Sequence, residues 1–186
     1  MSYKVILVGD SGVGKSSLVN RWIQGTFEVN MSQTIGAAFF CQHISIENQQ
    51  VVKLHIWDTA GQERFHSLTP MYLKGAHIAL LCFEFPDMQY LLRHIRNIRI
   101  ANDKVHIMLI ATKIDNPEND KSFSPVIQYA EKHNLPLFYT SAYTGRGVNE
   151  VFFVAATHCY ENFLEELSNS MILIDNQSVK DSSCPC

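Results

Sequence analysis

Apolar residues fall in short blocks along this chain, and the blocks alternate between two rhythms. Residues 4–8, 78–83 and 106–111 are nearly unbroken apolar runs, the pattern of strands covered on both faces of a parallel sheet. Residues 37–46, 51–57 and 137–140 predict three further strands, and the polar link 47–50 is short enough to join the first two as an antiparallel hairpin. Between them, helical spacing runs over 16–24, 88–100, 124–133 and 148–166. Asp87 and Ser124 read as N-caps, with Pro125 at the first helical position. The alternation predicts a doubly wound α/β fold of six strands, mostly parallel, with helices on both faces and ligands beyond the carboxyl ends of the strands. From Leu167 the pattern gives way to Ser, Asn, Asp and Gln, so the expected organisation is one domain over 1–166 and a flexible tail over 167–186.

Composition narrows this picture modestly. At 186 residues and 46% hydrophobic the chain has room for one domain with a full core. A net charge of −3 argues against a general nucleic-acid binder. No segment approaches the roughly 18 apolar residues of a membrane span, and the first apolar run is too short for a signal peptide, so the expected compartment is the cytosol. Cys41, Cys82 and Cys159 sit inside apolar patterns and are expected to be buried thiols.

The candidate chemistry stands at the strand ends. Residues 9–16 read GDSGVGKS, a complete GxxxxGK(S/T) loop between a strand and a helix. Backbone N–H groups over Ser11, Gly12, Val13 and Gly14 suit a phosphate chain, with Lys15 reaching its terminal oxygens, Ser16 offering a hydroxyl to Mg²⁺ and Ser17 completing the expected nucleotide-binding run. A nucleoside triphosphate is therefore expected. After the third strand comes WDTAGQE, where Asp58 suits a Mg²⁺-bound water, the Gly61 amide the γ-phosphate, and Gln62 the attacking water. After the fifth comes TKID, whose Asp115 can accept from the N1–H and exocyclic amine of guanine. Adenine lacks that donor pair, so GTP is expected over ATP. After the sixth comes TSA, where Ser141 and Ala142 let backbone amides approach the guanine oxygen.

Together these motifs resemble those of small GTPases of the Ras superfamily, and within it the Rab family, over residues 3 to about 166. QTIGAAF at 33–39 and ERFHSLTPMY at 63–72 are most similar to the early-endosomal Rab branch. The resemblance implies a P-loop small G-protein fold and a GTP-hydrolysing switch that recruits effectors to membranes in vesicle traffic. It implies that Thr34 ligates Mg²⁺ and senses the γ-phosphate, that Phe27 packs on the guanine, that Lys113 lies along its ring, and that Phe39, Trp57 and Tyr72 are read by effectors. With no evident arginine finger, Arg64 being read as a surface residue, hydrolysis is expected to be slow without a GTPase-activating protein, whose arginine is worth roughly 10³ to 10⁵ in rate. An exchange factor, a prenylation escort and a GDP-dissociation inhibitor complete the implied partners of a monomer on the cytosolic face of endomembranes, with a soluble pool.

Four features depart from the Rab pattern. Thr112 replaces the usual asparagine before Lys113, Tyr143 replaces the lysine after Ser-Ala, Glu84 stands near the usual aspartate, and the stretch 86–103 is short for its helix. The chain ends SSCPC, so Cys184 and Cys186 resemble a doubly prenylated terminus, although a metal-binding or disulfide pair is also open. With no basic cluster nearby, membrane attachment would need both lipid chains. The apolar patch 171–174 either docks on the escort or the dissociation inhibitor, or packs back on the domain. A P-loop kinase or ATPase, and a GTP-locked scaffold that does not hydrolyse, are the rival functions.

Overall fold

The computed structural model describes residues 1–62, 68–116 and 122–180, with only the backbone of 48 and 169–180. Arg64, Cys184 and Cys186 lie outside the described residues, as do the side chains of the apolar patch 171–174.

Six strands form one sheet in the order β2-β3-β1-β4-β5-β6. They are β1 (Ser2–Val8), β2 (Ala37–Ser45), β3 (Val51–Thr59), β4 (Ile78–Phe83), β5 (His106–Ala111) and β6 (Leu137–Tyr139). β2 pairs antiparallel with β3, and every other pair is parallel. The 47–50 link contains a single 3₁₀ turn, Glu47–Gln49.

The apolar runs are buried because alternate residues serve opposite faces. Val5 and Leu7 of β1 pack with helices α1 (Lys15–Gln24) and α5 (Val148–Lys180) through Leu18, Val19, Phe152 and Ala155. Ile6 and Val8 pack on the other face, against α2 (Thr69–Leu73), α3 (Met88–Ala101) and α4 (Ser124–Lys132) through Leu73, Leu91, Ile98 and Val126. Because all strands but β2 are parallel, the loops after β1, β3, β5 and β6 gather along one edge.

The helix expectations hold with corrections. Asp87 caps α3, its carboxylate accepting the N–H groups of Gln89 at 2.8 Å and Tyr90 at 3.3 Å, so the short 86–103 stretch still forms a 14-residue helix. Ser124 is the first residue of α4 rather than its cap, because Ser122 Oγ already accepts its N–H at 3.3 Å. α5 continues helical to Lys180, past the expected end at Glu166, since neither Gly nor Pro interrupts residues 148–180. Cys82 and Cys159 are buried as expected, but Cys41 is exposed. It lies on β2 with Phe39, His43 and Ser45, the exposed alternate positions of the edge strand. Among the described residues no helix is long and apolar enough to cross a membrane.

Candidate functional site

A cavity of about 710 Å³ opens at the carboxyl edge of the sheet. β1 ends at Val8, and the chain turns through Gly9–Gly14 into α1. Gly14 adopts φ 97°, a left-handed conformation that an L side chain rarely takes, and among the described residues no side chain caps the helix start. No acidic residue lies in its first turn. The open N–H groups and positive dipole end of α1 thus face the cavity, an arrangement made for phosphate.

Lys15 is buried beneath this loop, its Nζ donating to the carbonyls of Gly9 and Asp10 at 2.8 Å each. Burial pulls its pKa down, and nearby Cys82, Asp58 and Asp10 oppose that. Asp10 is itself held from α3, with Arg93 Nη2 and His94 Nε2 each 3.0 Å from its carboxylate. The Tyr90 hydroxyl accepts the Asp10 N–H at 3.0 Å and donates to Cys82 O at 2.9 Å. These three α3 residues carry no sequence signal linking them to the loop, because the contacts span 80 to 84 positions.

Ser16, Thr34 and Asp58 converge beside Lys15. The hydroxyls of Ser16 and Thr34 are 2.8 Å apart, joining α1 to the segment before β2. Asp58 is 2% exposed, and burial raises its pKa against the opposing pull of Ser16, Lys15 and Thr34. Its Oδ1 is buried without a hydrogen-bond partner among the described residues. An orphaned carboxylate oxygen beside two hydroxyls is a hard-oxygen donor set of the kind Mg²⁺ takes.

Gly61 follows β3 so closely under the phosphate loop that a Cβ would meet the Asp10 backbone at 2.4 Å and Lys15 Nζ at 2.5 Å. The Gln62 amide bonds the side chain of Gln33, joining the segments on either side of the β2–β3 hairpin.

At the far end, Phe27, Lys113, Asp115 and Ala142 line the cavity. Thr112 is 3% exposed, and its hydroxyl donates to Val13 O at 2.6 Å. Lys113 adopts φ 53° and pairs with Glu84 at 2.7 Å. Ser141 is fully buried and shapes the loop from behind, its Oγ accepting the Thr144 N–H at 3.0 Å. Among the residues expected at the site, Val13, Asp58 and Ser141 lie behind the wall, while Ser11, Gly12, Gly14, Lys15, Ser16, Ser17, Thr34, Gly61, Gln62 and Thr112 also line it. Thr59, Met31, Asn116 and Tyr143 are among the further residues that line it; Thr59 and Asn116 adjoin Asp58 and Asp115 and Tyr143 follows the Ser141–Ala142 pair, whereas Met31 had no sequence signal.

Phe39 is 51% exposed on the open face of β2, so it is not core. Its ring lies 5.2 Å from Trp57, which lies 5.7 Å from Tyr72, giving a continuous aromatic row across β2, β3 and α2.

The fold and the loop define a P-loop nucleotide-binding domain. The Ras family model matches residues 4–161. Three relatives resemble the chain over most of their own length. A Ras-related protein Rab5 of Nicotiana tabacum is 35% identical, with 100% of this chain and 95% of that protein aligned. A Ras-related protein Rab-5B of Plasmodium falciparum is 36% identical, with 88% and 81% aligned. A Ras-related protein Rab-5A of Dictyostelium discoideum is 39% identical, with 81% and 77% aligned. The chain belongs to the Ras family, in its Rab branch. It is accordingly a small GTPase that binds GTP and GDP and hydrolyses GTP.

Proposed function

We propose that the chain is a Rab-type switch of endocytic traffic whose carboxyl-edge cavity holds the guanine nucleotide, with its phosphates at α1 and its base between Phe27, Lys113, Asp115 and Ala142. The convergence of Ser16, Thr34 and Asp58 beside Lys15 is the observation that carries this reading. Those three residues would hold Mg²⁺, Asp58 through a water, and the ion supplies positive charge to the phosphate oxygens.

The remaining steps belong to the protein. The loop amides and Lys15 neutralise the phosphates, and the Gly61 amide faces the γ-phosphate. Gln62 orients the attacking water once it leaves Gln33. Thr34 and Gly61 each lie in a loop outside the regular elements, so contact with the γ-phosphate orders both loops and its loss releases them. Effectors then read the nucleotide through the row Phe39, Trp57 and Tyr72, whose exposed end gives a partner apolar area. An exchange factor and an activating protein set the rates. Lipid chains on Cys184 and Cys186, handled by an escort and a dissociation inhibitor, hold the GTP form on early-endosomal membranes.

Single-turnover hydrolysis with Mg²⁺ tests the core of this reading. GTP is expected to turn over slowly, Gln62→Leu to abolish turnover while leaving GTP bound, and equimolar ATP to have no effect. Competition by ATP, or unchanged turnover in Gln62→Leu, would overturn the guanine site or the role of Gln62 respectively.

A further inference from the structure

Tyr143 is 63% exposed at the rim of the cavity, and its ring meets that of Phe27 edge to face, with centroids 5.5 Å apart and planes at 78°. The two rings are 116 positions apart in sequence, yet both of their loops lie against one side chain, Arg21. Arg21 donates from Nη1 to Gly25 O at 2.9 Å, fixing the turn that leads into Phe27. Its guanidinium also lies under Gly145, where a Cβ would come within 3.0 Å of Nη2. The Tyr143 loop is braced internally as well. The Gly145 N–H donates to Ser141 O at 2.8 Å and the Ser141 N–H to Arg146 O at 3.0 Å. Tyr143 thus stands on a fixed support, and Phe27 stands on the irregular segment that leads toward Thr34.

We propose that Tyr143 is a nucleotide-retention residue: with Phe27 it forms an edge-to-face aromatic gate over the base end of the cavity, and a bound purine leaves only after the rings part. The inference rests on the guanine-site reading above. Tyr143 acts through Phe27, so it is a positioning residue that sets the release rate and leaves hydrolysis chemistry to other groups. An edge-to-face pair of this geometry corresponds to about a two- to tenfold change in release.

The test loads the full chain with a fluorescent GDP analogue in Mg²⁺ and chases it with excess GDP. Tyr143→Ala is expected to release the analogue about two- to tenfold faster at an unchanged association rate. Tyr143→Phe keeps the ring and is expected to restore slow release. Because the two rings act as one gate, Tyr143→Ala/Phe27→Ala is expected to be no faster than Phe27→Ala alone. The gate is overturned if Tyr143→Ala releases at the wild-type rate, if Tyr143→Phe is as fast as Tyr143→Ala, or if the two alanine effects multiply. Failure of the wild-type chain to retain the analogue at all would instead strike the guanine-site reading itself, and the gate with it.

Discussion

The hydroxyl of Thr112 carries one proton and faces two carbonyls, Val13 O at 2.6 Å and Phe83 O at 3.0 Å. Phe83 O already accepts the Thr112 N–H at 2.8 Å, so the bond that matters runs to Val13 and ties the phosphate loop to the end of β5. A short side chain therefore performs a tethering for which an amide is not required. Thr112→Val keeps the shape and strands Val13 O, so it is expected to cost about 1–3 kcal/mol in stability and to speed GDP release. Urea unfolding and a nucleotide chase measure the two effects, and a variant unchanged in both would show the tether to be idle. Gly61 is constrained from the opposite side of the same loop. Since a Cβ there would land 2.5 Å from Lys15 Nζ and 2.4 Å from the Asp10 backbone, Gly61→Ala must push the loop or the turn aside. GTP affinity is expected to fall more than GDP affinity, because the displaced amide is the one proposed to face the γ-phosphate, and competition between the two nucleotides would read the ratio.

Between elements, the contact of β5 with α5 includes a pair of histidines. The His106 and His158 rings lie 3.7 Å apart, and His106 Nε2 is buried without a hydrogen-bond partner among the described residues. Burial, then His158, then Arg99 push the His106 pKa down to about 4 from its ordinary 6.5. Burial also lowers the His158 pKa, which Glu161 and Glu165 partly counter. Both rings are thus neutral in the fold at pH 7, and the unfolded chain takes up the protons first as pH falls. Stability from His106 is complete above about pH 6.5 and declines toward about pH 4, by about 1 kcal/mol after discount for a half-buried ring. The difference in urea midpoint between wild type and His106→Phe is expected to shift across that window, and a constant difference would remove the pair from the acid response. Nothing in the sequence announces this pair, since its members stand 52 positions apart in two elements of different period. The same holds for Asp10 with Arg93 and His94. By contrast β1, β4 and β5 were legible, because strands covered on both faces must be apolar throughout. The phosphate loop was legible because its contacts lie within one strand, turn and helix. α2 was not legible: five residues with one buried side chain, Leu73, show no period. Cys41 was misread because an apolar run on an edge hairpin does not say which face is covered.

Across the whole molecule, the two cores stand on opposite faces of the sheet and, among the described residues, take only Val13, Ile114 and Phe123 from the loops of its carboxyl edge. Fold stability and site order are for that reason separable, and the nucleotide acts on the second by mass action. A ligand at a thousand times its dissociation constant adds about 4 kcal/mol to the folded state. In a chain of this size each kcal/mol moves the midpoint by about 2–4 °C, so GDP with Mg²⁺ is expected to raise Tm by about 8–16 °C. From its proposed place at the cation, Asp58 is expected to set how much of that rise depends on Mg²⁺. Without a cation it is a 2% exposed carboxylate whose Oδ1 has no partner among the described residues, and burial works against its charge. Asp58→Asn removes the charge and keeps the shape, so the ligand-free variant is expected to unfold no earlier than the ligand-free wild type. With GDP present, adding EDTA is expected to lower the wild-type Tm sharply and the variant's only slightly. Thermal melts of both proteins, with GDP in Mg²⁺ and with GDP in EDTA, read the cation increment directly. An increment of equal size in the two would remove Asp58 from the metal site and leave Ser16 and Thr34 as a hydroxyl pair that merely joins α1 to the loop before β2.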